Sequence, residues 1–105
     1  MTLQVRYTAA AEVDLQTIYL SGWEMFGRRQ AETYIAGLRS AVEMIADFPL
    51  ASRLRETFRQ PVRARPFQSH VILYTVDETG VLILRFRHGM EDWQEDLTDG
   101  REETP

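Results

Sequence analysis

Arginine is the side chain in this sequence best suited to binding an anion. All 12 basic residues are Arg, and five of them lie between positions 53 and 65 beside a single acid, Glu56. A guanidinium group stays charged at any working pH and can hold a carboxylate or a phosphate through two parallel hydrogen bonds. Because the chain has no Lys, a lysine Schiff base and a lysine general base are excluded. The sequence therefore leaves room for an anionic or acidic partner.

Two pairs of arginines have the spacing of neighbours on one face of a strand. Arg63 and Arg65 form the first pair, and Arg85 and Arg87 form the second. Residues two apart in a strand point the same way. Arg59 lies four residues before the first pair. The two pairs could converge on one phosphate or carboxylate, or they could form the solvated face of an antiparallel sheet. Their spacing leaves both interpretations open.

Three further residues have side chains suited to chemistry or to binding. His88 follows Arg85 and Arg87, whose charge favours the neutral imidazole that a general base requires; its alternative role is a structural hydrogen bond. Asp14, the single acid in an otherwise apolar stretch, is either a catalytic acid or a structural residue that anchors a loop or pairs with an arginine. Trp93 lies among four acids and either caps the core or marks a partner-binding surface.

The apolar periodicity predicts the elements that carry these residues. The predicted strands cover residues 3–8, 58–66, 70–76 and 81–88. The predicted helices cover residues 9–26 and 28–48, with Gly27 between them. Residues 49–57 are predicted as a loop, and 89–97 as a short helix or strand.

This order of elements indicates an α+β fold, with a helical hairpin packed on one face of a small antiparallel sheet. Pro61 interrupts the segment 58–66, which is therefore expected to be an edge strand or two short strand pieces. The strands at 70–76 and 81–88 are nearly continuous in apolar residues and are expected at the centre of the sheet. His70, which opens the first of these two strands, is assigned a structural role.

The length and charge distribution set further limits. With 105 residues, the chain is expected to form one domain over 1–97, followed by a frayed acidic tail at 98–105. Residues 1–90 hold 11 arginines against 9 acids, whereas residues 91–105 hold one arginine against 7 acids. The net charge of −4 argues against a general nucleic-acid-binding protein, and direct sequence-specific DNA binding by this chain is not expected.

The composition also excludes several kinds of site. Cysteine is absent and only two histidines occur, so neither a disulfide framework nor a metal site is expected. No cofactor is expected either, because the sequence contains no phosphate-binding loop and no dinucleotide-binding glycine motif. No secretory signal or membrane-spanning run is evident, so we expect a cytoplasmic protein without membrane contact.

Several different short motifs follow one another in order over residues 5–93. The first helix carries the pattern A-x-x-D-L-x-x-I from Ala11 to Ile18, and the last strand carries VLILRFRH from Val81 to His88. The remaining matching positions are Tyr7, Gly27, Ala31, Tyr34, Leu38, Ile45, Ala46, Pro49, Val62, Arg63, His70–Tyr74 and Asp92. In this order and at these spacings, the sequence resembles the ParE toxins of the RelE/ParE superfamily of bacterial toxin–antitoxin modules.

The resemblance implies a toxin held inactive in a hetero-oligomer with a ParD-like antitoxin encoded nearby. It implies DNA gyrase as the target, with replication blocked by inhibition rather than by chemistry of the toxin itself. The residues expected to bind the antitoxin or the target are Arg59, Arg63, Arg65, Arg85, Arg87, His88 and Trp93. A member that has lost its toxicity and only binds a partner is a further alternative.

The RelE-like relatives implied by the same resemblance cut messenger RNA in the ribosome. In that alternative His88 would be the base, with Arg63 and Arg85 on the scissile phosphate. The sequence departs from the relatives' pattern, because it has no Lys and no Tyr after Tyr74. It also departs from the ParE pattern, since the run 50–52 replaces the glycine usually found soon after the proline that ends the second helix. The missing nuclease residues favour the gyrase interpretation.

Overall fold

A computed structural model describes residues 3–55 and 61–89. The two helices are α1 (Ala9–Phe26) and α2 (Arg28–Asp47). The five strands are β1 (Val5–Tyr7), β2 (Arg53–Arg55), β3 (Val62–Phe67), β4 (His70–Asp77) and β5 (Gly80–His88). The predicted α+β class and the helical hairpin on one face of the sheet are confirmed.

The helical hairpin begins with a side-chain cap and turns at a single glycine. The hydroxyl oxygen of Thr8 accepts a hydrogen bond from the amide of Ala11 at 3.0 Å, which satisfies one of the amides left without a partner in the first turn. Gly27 links α1 to α2 with φ at 91°, a conformation that side-chain-bearing residues rarely adopt. Both helices therefore have the positions expected from the sequence.

The sheet has the strand order β1-β5-β4-β3-β2. Strands β2, β3, β4 and β5 form antiparallel pairs, whereas β1 runs parallel to β5. The first and the last of the described strands are thus neighbours. The predicted edge position of β3 is wrong, because β2 pairs with it along residues 53–55 inside the segment expected to be a loop.

The main core lies between the hairpin and one face of the sheet, which we call the inner face. Leu38, Val42 and Ile45 of α2 pack there with Ile72 and Tyr74 of β4. Tyr74 is fully buried, and its hydroxyl donates to the carbonyl of Pro49 at 2.8 Å. The hydrogen bond ties the end of α2 to the middle of the sheet.

The opposite face of the sheet, which we call the outer face, carries a second apolar cluster. Its buried members are Val62, Ala64, Val71 and Leu73, and Leu84 packs against them. No helix residue belongs to this cluster. Neither described helix combines the length and the apolar character needed to cross a membrane.

Candidate functional site

Asp14 is bound to the last strand of the sheet. One of its carboxylate oxygens accepts from Arg85 Nε at 2.7 Å and from the backbone amide of Phe86 at 3.0 Å, and the other accepts from Arg85 Nη2 at 2.9 Å. This bidentate arrangement decides between the two roles expected for Asp14 in favour of the ion pair. It also holds Arg85 at the edge of β5, beyond the point where β1 ends.

A β-bulge in β5 determines where its arginines point. The register between β4 and β5 shifts by one residue, so that Leu84 is an extra residue in β5. Ile83 before the bulge and Phe86 after it both belong to the inner core. Because an inserted residue reverses the alternation of side chains, the register positions of Arg85 and Arg87 fall on the outer face. From there the guanidinium of Arg85 reaches around the edge of β5 to Asp14 on α1.

The other arginine pair lies on the inner face. Arg63 and Arg65 are paired in register with Tyr74 and Ile72, which both belong to the inner core. Directly paired residues in an antiparallel sheet share a face. The expectation that Arg63 and Arg65 share a face is therefore confirmed. The spacing left open whether this pair converges with the pair on β5, and the register does not support convergence, since the two pairs lie opposite residues of different faces of the sheet.

The contacts of Arg63 and Arg65 hold them far from β5. Arg63 Nη1 donates to the carbonyl of Ser52 at 2.7 Å, toward the β2 edge of the sheet. Arg65 Nη2 lies 3.8 Å from the sulfur of Met44 on α2. Both arginines thus contact the region between the last turns of α2 and the start of β2. Arg59 and Trp93, the remaining two predicted site residues apart from His88, lie outside the described residues.

A groove of about 700 Å³ opens where the tip of the hairpin extends past the end of the sheet. Phe26 and Met25 of α1 line it from the helical side, while Arg87 and His88 line it from the end of β5. Asp14 borders the groove as well, although its carboxylate is already bound to Arg85. Two of the predicted site residues, Arg87 and His88, therefore border this groove.

An aromatic and imidazole cluster forms the floor of this groove. His70 pairs in register with His88, and their ring centroids are 5.3 Å apart. The Tyr34 hydroxyl lies 2.6 Å from His70 Nδ1. Burial raises the pKa of Tyr34, so the hydroxyl keeps its proton at neutral pH and can donate it to a neutral His70. This bond gives His70 the structural role expected from the sequence.

Tyr34 was not among the residues singled out for a site, since its spacing places it in the apolar stripe of α2. The pairing of His70 with His88 was also missed. Without a bulge, the register that starts at the turn between β4 and β5 would pair His70 with Arg87. The extra residue at Leu84 shifts this register by one, so that His70 pairs with His88 instead. No signal in the sequence identifies that bulge.

The hairpin tip presents large apolar side chains to solvent. Met25 is 70% exposed and Phe26 is 61% exposed, and Leu20 and Trp23 lie close by along α1. Such side chains, beside a basic and imidazole-bearing wall, are typical of a surface that binds a partner rather than of a solvated helix. The groove can accommodate a segment with one apolar and one acidic side.

The three candidate residues for phosphodiester cleavage, His88, Arg63 and Arg85, are not brought together in the described part of the chain. His88 pairs with His70 while Arg63 pairs with Tyr74, and these positions are two strands apart and four residues along, or about 16 Å. Arg85 is bound to Asp14. A general base must lie within hydrogen-bond reach of the atom that it serves. Over the described ranges, no group of three metal-binding side chains is found either.

A comparison with known families gives a match that spans most of the chain. A family model for the ParE toxin of the type II toxin–antitoxin system parDE matches residues 5–93. A solved structure titled as a chromosomal ParDE TA system from P. aeruginosa has a TM-score of 0.73, with 18% identity, and covers 83% of this chain and 96% of that one. At this identity the likeness establishes the fold alone. No curated protein gives a match.

Proposed function

Since the chain belongs to the ParE toxin family of type II toxin–antitoxin systems, we propose that it inhibits DNA gyrase by binding and is held inactive by its cognate antitoxin. The observation that carries the choice of a binding mechanism is the dispersal of the candidate nuclease residues. His88 lies at the hairpin groove, Arg63 is engaged by Ser52, and Arg85 is engaged by Asp14. Cleavage would require a base and cations around one phosphate.

The test of this proposal is DNA supercoiling by purified gyrase in the presence of the toxin. We expect inhibition with accumulation of cleaved DNA, saturating near one toxin per binding site on gyrase, because a binder is consumed in its complex. Addition of the ParD-like product of the adjacent gene should restore supercoiling. A toxin that leaves gyrase unaffected, and that instead generates codon-positioned ends in cellular messages, would establish the RelE-type alternative. His88→Ala should then abolish those ends.

We propose the groove at the hairpin tip as the binding site of the antitoxin. Phe26 offers an exposed apolar surface, and Arg87 and His88 offer donors for carboxylates. An acidic amphipathic segment that orders on binding suits both sides of such a groove. Arg63 lies two strands and four residues from His88, or about 16 Å, so a segment confined to the groove does not contact it.

Substitution of two groove residues tests this binding site. The double variant Phe26→Ala with Arg87→Glu should weaken binding of the antitoxin by at least about 100-fold, since it removes an aromatic anchor and reverses the nearby charge. Arg39→Glu reverses an exposed charge on α2 outside the groove and should leave the affinity within about threefold of the original. The measurement is calorimetric titration. Equal affinities for the double variant and the parent protein would exclude the groove.

A further inference from the structure

The guanidinium of Arg65 is partly shielded from water and lacks an oxygen acceptor. Its Nε atom is buried without a hydrogen-bond partner, and its Nη2 atom lies against the thioether sulfur of Met44 at 3.8 Å. No oxygen of residues 3–55 or 61–89 accepts from it. Arg63 and Arg85, by contrast, donate to a carbonyl and to a carboxylate. Because a guanidinium has five donors and a thioether is a weak acceptor, Arg65 retains unused hydrogen-bonding capacity.

Exposed apolar side chains lie beside Arg65 at the end of α2. Met44, which contacts Arg65, is 50% exposed, and Phe48, at the C-terminal cap of α2, is 64% exposed. Leu50 follows in the turn after the helix and is 66% exposed. One exposed apolar residue needs no explanation, but three within positions 44–50 beside an unsatisfied cation are typical of a binding surface. We call Met44, Phe48, Leu50 and Arg65 the α2-end patch.

The α2-end patch lies along the helix from the floor of the hairpin groove. Tyr34, Ala41 and Met44 follow one another at intervals of seven and three, which places them on one side of α2. On β3, Phe67 packs on Tyr34 and Arg65 contacts Met44. From Tyr34 to Met44 the helix rises by about 15 Å. A partner segment in the groove therefore reaches the patch with about five further extended residues.

We propose, on the basis of the function proposed above, that the α2-end patch is a second contact for the same antitoxin. A carboxylate of the antitoxin pairs with the Arg65 guanidinium, and a neighbouring apolar side chain of the antitoxin packs on Phe48. Charge complementarity carries the choice of this partner, since a carboxylate supplies the acceptor that Arg65 lacks, through hydrogen bonds from Nη1 and Nη2. The pair displaces the Met44 thioether from Nη2, which the flexible methionine side chain permits.

Other macromolecules fit the patch less well. Interfaces with nucleic acid are polar and strongly positive, whereas here one guanidinium stands beside three exposed apolar side chains. A two-fold contact between copies of the chain, centred on this patch, would bring each Arg65 toward its own equivalent, and like charges so placed repel. A segment with a carboxylate next to an apolar side chain satisfies both parts of the patch.

Calorimetric titration of the full-length toxin with the ParD-like product of the adjacent gene tests the second contact. Arg65→Gln should weaken binding at least about 10-fold, because the antitoxin carboxylate loses its cation. Arg65→Lys keeps the charge without the paired donors and should lie between Arg65→Gln and the parent protein. Phe48→Ser should weaken binding about fivefold. Arg39→Gln removes an exposed arginine from another side of α2 and should leave the affinity within about twofold.

The unmodified toxin provides a second measurement in case a variant fails to fold, which far-UV circular dichroism detects. In isotopically labelled toxin, the Nε–H signal of Arg65 should shift when the antitoxin is added, because the guanidinium gains its acceptor. The corresponding signal of Arg39 should stay in place. An Arg65 signal that does not move in the saturated complex overturns the second contact.

The outcomes separate the second contact from the function on which it rests. If the parent toxin binds the antitoxin while the Arg65 and Phe48 variants keep the parental affinity, the second contact is excluded and the proposed function stands. A parent toxin that does not bind the antitoxin excludes both. If Arg65→Gln binds the antitoxin normally but no longer inhibits gyrase, the patch belongs to the target, and its assignment to the antitoxin is overturned.

Discussion

Gly80→Ala should lower the free energy of unfolding by about 3–5 kcal/mol, which is a large share of the stability of a domain of this size. Gly80 has φ at 128°, and a Cβ atom placed there would lie 2.3 Å from the carbonyl oxygen of Gln4. That oxygen also accepts from the amide of Val81 at 2.8 Å. Because the obstacle is backbone, the first strand would have to move away from β5.

Gly27→Ala is the matched control for this prediction. Gly27 also has a positive φ, at 91°, but a Cβ atom there would meet nothing within 4 Å. Gly27→Ala should therefore lower the free energy of unfolding only by the cost of placing alanine at a positive φ, about 1–2 kcal/mol. Urea unfolding followed by circular dichroism gives both values. If the two variants lost the same stability, the close approach of β1 to Gly80 would be energetically unimportant.

Asp14→Ala should lower the free energy of unfolding by about 2–4 kcal/mol. The Asp14 side chain is 13% exposed and accepts three hydrogen bonds, two from the guanidinium of Arg85 and one from the amide of Phe86. Its removal leaves a half-buried cation without its counter-charge and a strand amide without its acceptor. Glu12→Ala, an exposed acid on the same helix, should change stability by no more than about 0.5 kcal/mol.

A double-mutant cycle between Asp14→Ala and Arg85→Ala measures the interaction energy of these two side chains apart from their contacts with the rest of the protein. We expect the double variant to be less destabilised than the sum of the single variants by about 1–2 kcal/mol, since the second substitution has no ion pair left to break. Strict additivity would argue that the two residues do not stabilise each other. The result also bears on binding assays, because substitutions at Arg85 alter the fold. Arg87 is the better arginine of β5 for testing contacts with a partner.

The helical half of the fold could be predicted because its signals are local. Thr8 and Gly27 mark where α1 begins and ends, and a continuous apolar stripe defines α2. The role of Asp14 was reduced to two possibilities by its position as a single acid in an apolar stretch. Signals of this kind involve residues that are only a few positions apart in the sequence, and the structure confirms the helix bounds that they predict.

The sheet was predicted less completely because its arrangement depends on distant pairing. The segment Arg53–Arg55 has only three residues and no apolar alternation, so nothing in the sequence distinguishes it from a loop. The parallel direction of β1 follows from where the hairpin returns the chain, which propensity does not encode. The separation of the arginine pairs onto two faces depends partly on one inserted residue, Leu84. The spacing within each arginine pair predicts that its two members share a face. The sequence does not predict how one pair is placed relative to the other.

The neighbouring positions of β1 and β5 have a consequence for how the toxin is made. Val5 pairs with Val81, so the amino-terminal strand has no partner until more than three quarters of the chain has been synthesised. Pairs of such high sequence separation form late and slowly, because a long loop must close before the contact is gained. During translation, the helical hairpin can form while the sheet that supports it is still incomplete. Folding of the domain therefore waits until β5 has been synthesised, and the groove between the hairpin and the end of β5 cannot form before then.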